Sequence, residues 1–223
     1  MGTLTPEVAR GSLSDVAYTR MLEWIMDGTL APGDPIPLAK VATSFKISQT
    51  PLRESLARLE GQGLVVRLPM RGFRVAEPLS PEDLAALIAA RMILEPAIAA
   101  RAATCATPEG IDELRQAWEA SGNVELGVRY EGYSAYLEQS ARFHDLVAGL
   151  SGNRFLRDAA NALPTHVQRF RLFGDEGVND REVALAEHLE VLDAIARHDS
   201  VAAKQAMRRH IKAVGERSTP RVK

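Results

Sequence analysis

Apolar positions in the first third of the chain recur at helical spacing, and glycine and proline cut them into short runs. Leu13, Val16, Ala17, Leu22, Ile25 and Met26 make one face of a helix that Ser12 or Ser14 can cap and that ends near Asp27. Gly28 and then Pro32-Gly33 force a turn, and Pro35-Ile36-Pro37 leads into a short helix over 38–45 with Leu38, Val41, Ala42 and Phe45 inward. Ser48 stands where an N-cap belongs, with Pro51 still in the first turn, and the helix over 49–62 closes at Gly63. Two β-prone runs follow, 64–68 and 73–76, joined by Pro69-Met70-Arg71-Gly72. Helix, helix, tight turn, helix and hairpin describe a winged helix-turn-helix.

Beyond a short linker the pattern is helical throughout. Ser80-Pro81-Glu82-Asp83 combines a cap, a first-turn proline and first-turn acids. The spacing predicts helices near 81–104, 108–120, 124–150, 153–173, 180–198 and 200–216, with breaks at segments such as Ser121-Gly122-Asn123 and Ser151-Gly152-Asn153. No strand alternation interrupts them. The expected fold is therefore mainly α: a winged helix-turn-helix over 1–77 and an all-α helical bundle over 78–223.

Composition adds little until charge is mapped along the chain. A single cysteine, Cys105, excludes a disulfide framework and a cysteine-based zinc ribbon within one chain. No run is long and apolar enough for a signal peptide or a membrane span, so a soluble, cytoplasmic protein is expected. The net charge is −2, yet residues 40–74 hold seven basic side chains against two acidic ones. The third helix shows what that excess can do. Leu52, Leu56 and Leu59 share one core stripe, while Gln49, Thr50, Arg53 and Ala57 form a neighbouring face of short or donating groups. Such a face suits the major groove, with an arginine to reach guanine or phosphate. Arg71 and Gly72 sit at the hairpin tip, where a basic side chain and bare backbone can approach a minor groove or phosphates. Glu54 and Arg58 are expected to pair along the helix.

In the bundle, polar residues on apolar stripes carry the signal. Arg91 lies amid Leu84, Leu87, Ile88, Leu94 and Ile98; either Glu95, one turn on, pairs with it, or it clamps a ligand carboxylate. His144, His188 and His210 each fall centrally on an apolar face of a separate helix, and His166 also faces inward. Imidazoles on facing helices can converge on one divalent metal, zinc or nickel by ligand type. His198, at a helix end, is expected to cap it.

The run Gly28-Thr-Leu-Ala-Pro-Gly33, the stretch S-Q-T-P-L-R-E-S-L-A-R-L-E-G-Q-G-L-V at 48–65 and P-M-R-G-F-R-V at 69–75 resemble the DNA-binding domain of GntR-type transcriptional regulators. Residues 81–216 are similar to the all-α (FCD-type) effector domain of the FadR-like branch. The resemblance implies DNA contacts from Ser48, Gln49, Thr50, Arg53, Arg71 and Gly72, although Gln49 stands where the family usually has arginine. It implies metal ligation by His144, His188 and His210, with Ser140 at the position of the family's aspartate ligand. A small organic acid would bind through Arg91, Ser140 and His166 beside the metal and alter operator affinity in a homodimer. The alternatives are a sensor of the metal itself and a metal-dependent hydrolase, the latter disfavoured because no carboxylate is placed as a general base.

Overall fold

A reciprocal capping box starts the first helix, α1 (Leu13–Met26): the Ser12 hydroxyl accepts from the Asp15 amide at 3.2 Å, and the Asp15 carboxylate accepts from the Ser12 amide at 3.0 Å. The computed structural model describes residues 12–124, 127, 129–163 and 180–218. It divides into two units, Met1–Glu77 and Pro78–Lys223. In α1 the buried side chains are Ala17, Met21, Leu22 and Ile25. Leu13 and Val16, expected inward, are exposed; both lie in the first turn, ahead of the buried stretch.

The first unit continues as β1 (Pro35–Ile36), α2 (Leu38–Phe45), α3 (Gln49–Gly61), β2 (Val65–Leu68) and β3 (Gly72–Val75). The sheet order is β1-β3-β2, all antiparallel, with Ile36 opposite Phe73 and Arg67 opposite Phe73 from the other side. β1 is a strand where the sequence suggested only a lead-in to α2. Two residues are too few to show alternation, and proline is tolerated on an edge strand because it has no amide to donate. Ser48 occupies the N-cap of α3 in extended conformation, yet its hydroxyl makes no capping hydrogen bond, unlike those of Ser12 and Ser80. Leu52, Leu56 and Leu59 are fully buried, as their stripe predicts. Arg58 pairs with Asp15 at 2.7 Å and lies over the Tyr18 ring, 4.1 Å from its centroid, rather than pairing with Glu54. Leu56→Ala is expected to destabilise this unit by about 2–5 kcal/mol, read as a lowered denaturation midpoint.

The second unit is built of α4 (Pro81–Cys105), α5 (Pro108–Gly122), α6 (Tyr130–Leu150), α7 (Arg154–Asn161), α8 (Arg181–Ala196) and α9 (Ser200–Ser218). Ser80 caps α4 by accepting from the Asp83 amide at 3.0 Å, and Pro81 takes the first position. Thr107 and Asn153 cap α5 and α7 in the same way. α6 begins at Tyr130 rather than near 124, and α7 ends at Asn161; the rest of the predicted 153–173 helix lies mostly outside the described residues. The core gathers Ala99, Ala102, Leu114, Phe143, Leu192 and Met207 from five helices. His198 follows α8 with φ 54° and sets its Nδ1 2.9 Å from the Ala103 carbonyl, so its ring ties this turn to α4. No described helix is long and apolar enough to cross a membrane.

Candidate metal centre and nucleic-acid interface

Three helices each bring one imidazole to a common point. His144 comes from the middle of α6, His188 from the middle of α8 and His210 from α9, each flanked by buried apolar residues of its own helix. One nitrogen from each ring lies within 4.8 Å of the others. Ring centroids are 5.1 Å apart for His144 and His188, 5.2 Å for His144 and His210, and 4.6 Å for His188 and His210. The His188 ring stacks on Phe143 at 4.3 Å and 13°, which fixes its plane. The three histidines nominated from their stripes are therefore neighbours.

Two of these rings are backed by carboxylates. Glu95 Oε2 lies 2.8 Å from Nδ1 of His144, and Glu187 Oε2 lies 2.8 Å from Nδ1 of His210. At His210 this contact is a hydrogen bond, and with Nδ1 so engaged Nε2 is the nitrogen left for the centre; at His144 the carboxylate stands within ion-pair distance of Nδ1. Each carboxylate is held in turn by an arginine. Arg91 donates from Nε to Glu95 at 2.5 Å, and Arg217 grips both Glu187 oxygens at 2.7 and 2.8 Å. Burial is the largest influence on Glu95 and pushes its carboxyl up; the Arg91 guanidinium and the side chains hydrogen-bonded to the carboxylate together outweigh it and hold the group well below the usual carboxylate range. Three convergent imidazoles, two of them with a carboxylate behind, fit a borderline divalent cation.

Ser140, four residues before His144, is buried and brings no charge. Arg91 directs Nε and Nη2 onto Glu95, the pairing that the sequence left open against a ligand clamp. A cavity of about 360 Å³ lies beside the centre, and its described wall includes Glu95, Arg142, His144, Asp145 and Asn161, with Arg91 absent from it. Arg142 is exposed at this wall and has no ion pair among the described residues. Asp145, next to His144, is held below its ordinary range by hydrogen bonds from Arg157, against the opposing effect of burial. Arg157 reaches it at 2.7 and 2.5 Å and Asn161 at 2.8 Å, so this carboxylate ties α7 to α6. His166, the third nominated ligand-binding residue, lies outside the described residues. Sequence reasoning missed Glu187 and Arg217 as partners of the centre; the only available signal was that Glu187 directly precedes a stripe histidine.

In the first unit, Ser48, Gln49, Thr50 and Arg53 are all exposed along the start of α3, on the side away from Leu52 and Leu56. At the hairpin tip Arg71 is exposed and Gly72 has φ 85°, where glycine is at ease. Met70, beside them, is completely exposed with φ 59°, an uncommon conformation for a side chain of its size.

Comparison with known proteins covers both units. Residues 13–75 match the model for bacterial regulatory proteins of the gntR family, and residues 86–213 match the FCD domain. The HTH-type transcriptional repressor RspR of Escherichia coli K12 is 26% identical over 187 residues, which is 84% of this chain and 80% of that protein. Among solved structures, a GntR transcriptional regulator from Rhodococcus sp. RHA1 superposes with a TM-score of 0.69 at 20% identity, covering 93% of this chain and 98% of the other. McbR/YncC of E. coli gives 0.68 at 20% identity, covering 93% and 99%. At that identity the superpositions speak for the fold.

Proposed function

The chain belongs to the GntR family of bacterial transcriptional regulators and carries an FCD domain behind its winged helix-turn-helix, so it is a DNA-binding regulator and not an enzyme; on that premise we propose that a small organic acid, bound beside a metal at the three-histidine centre, sets its affinity for operator DNA. The hydrolase alternative finds no support, because the relatives are regulators. The observation that carries the proposal is the placement of His144 and Glu95 in the wall of the cavity, where a bound acid would meet the centre directly.

His144, His188 and His210 would hold the metal, zinc or nickel by ligand type. Bound there, the ion supplies a Lewis-acidic position for a carboxylate oxygen. Charge favours the same class of effector. With the three imidazoles neutral, as metal ligation requires, Arg91 and Arg217 stand against Glu95, Glu187 and Asp180, one net negative charge. A dication would leave one positive charge to be met, and Ser140 adds nothing towards it. Arg142, exposed at the cavity wall, is a second partner for an anionic group. Ligation and closure around the acid would favour one arrangement of a homodimer, and so change how its two winged units meet a two-fold operator.

For the winged unit we assign the groove face to Ser48, Gln49, Thr50 and Arg53, and the wing contact to Arg71 and Gly72. The uncapped start of α3 leaves first-turn amides able to meet a phosphate. Gln49 can read adenine with both amide atoms.

The test is operator affinity of the zinc-loaded protein against a panel of two- to six-carbon mono-, di- and hydroxycarboxylic acids. One acid is expected to shift the dissociation constant by roughly 5–150-fold, the usual range of allosteric coupling, and to lose its effect after chelation. A shift produced by zinc alone would make the metal the signal. Indifference of operator affinity to both would overturn the proposal.

A further inference from the structure

We propose that Arg217 is a positioning residue of the three-histidine centre, acting on His210 through Glu187. The inference rests on the metal-binding reading above and assigns a role to a residue beyond the part of the chain that matches the FCD model, which ends at residue 213.

Arg217 lies in the last turn of α9, two turns beyond His210 on the same helix. Its Nη1 and Nη2 donate to the two oxygens of Glu187 at 2.7 and 2.8 Å, the forked geometry in which arginine fixes a carboxylate plane. Its Nε donates to Asp180 at 2.9 Å, at the start of α8. The network is largely screened from solvent: side-chain exposure is 23% for Arg217, 18% for Glu187, 6% for Asp180 and 2% for His210. Glu187 Oε2 is shared between Arg217 Nη2 and His210 Nδ1. Once both its oxygens are held, the carboxylate cannot swing away, and the imidazole it orients keeps Nε2 on the centre.

A parallel arm supports this reading. Arg91 holds Glu95, and Glu95 lies against Nδ1 of His144. Two of the three histidines therefore share one construction of arginine, glutamate and imidazole, built from different helices. A plain tie between α8 and α9 would not need the histidine at its end. Such a tie exists elsewhere: Arg209 pairs with Glu190 at 2.6 Å between the same two helices, exposed and without contact to the centre.

That pair supplies the control. Cobalt(II) affinity is measured on the full chain by competition with a chelating dye, together with the visible ligand-field spectrum and the melting temperature of the chelator-treated protein. R217Q and E187Q are expected to lower cobalt affinity by roughly 10–100-fold, the range for loss of an outer-shell partner, and to alter the spectrum. R217K, which keeps the charge but not the fork, should fall between them and the wild type. R209A should leave affinity and spectrum unchanged. Wild-type affinity and spectrum in R217Q would overturn the positioning role and leave the metal reading standing. If R217Q fails to fold, R217K and E187Q give the same readout. Failure of the wild type to take up cobalt would overturn the metal reading itself, and this inference with it.

Discussion

Protein purified without a histidine tag is expected to carry close to one divalent metal per chain, and the His144→Ala/His188→Ala variant to carry none. The expectation follows from the donor set. Four-ligand zinc sites bind with about 10–16 kcal/mol, so each ligand contributes on the order of 2.5–4 kcal/mol. Loss of one imidazole from three should weaken binding roughly 10²–10³-fold, and loss of two should leave no site. Ser140→Asp tests the centre in the other direction. The position is buried one turn before His144, so a carboxylate there costs stability in the metal-free protein and repays it on metal binding. Its melting temperature should fall below that of the wild type after chelation and rise by more on addition of zinc. Metal elemental analysis decides the main point. Retention of stoichiometric metal by the double alanine variant would show that the ion sits elsewhere, and the cavity beside His144 would lose its claim as the effector site.

The convergence of His144, His188 and His210 was legible because helical period reports which face of each helix is buried, and a polar residue at the middle of that face must meet something inside. Period does not report who the neighbours are. Glu95 is four residues from Arg91, so that pair could be read along one helix, but its contact with His144 spans 49 residues and depends on how α4 packs on α6. Glu187 stands beside His188 in sequence and serves His210 in space, because α8 and α9 run side by side. The same limit appears in the winged unit. Arg58 had Glu54 one turn away and pairs with Asp15, 43 positions distant, because the Tyr18 ring of α1 gives its guanidinium a surface to lie on. Element ends were readable wherever a local hydrogen bond makes them, as at Ser12 with Asp15 and Ser80 with Asp83. β1 has no local signature, since its two residues become a strand only through β3.

Arg53→Ala is expected to remove the preference of the protein for its operator, whereas Arg71→Ala should weaken operator and unrelated duplex alike. The two arginines are both exposed and both belong to the winged unit, but they are carried differently. Arg53 projects from the first turns of α3, a rigid helix anchored by three fully buried leucines, so its fork can be held against one base edge. A bidentate arginine–guanine contact is worth about 1–3 kcal/mol of discrimination per site, and a dimer makes it twice. The ratio of operator to unrelated affinity should then drop by roughly 10²–10⁴-fold. Arg71 sits on the hairpin tip between Met70 and Gly72, both at positive φ, where backbone and charge can follow the phosphates without choosing among bases. Its loss should reduce the slope of log affinity against log salt by about one for each arginine removed. The measurement is a salt titration of each variant on a duplex selected in vitro by the wild type and on a shuffled duplex of equal length. Equal loss on both duplexes for Arg53→Ala would make it a phosphate contact and move base reading to Gln49 and Thr50. Unchanged affinity in both variants would remove α3 and the wing from the groove altogether.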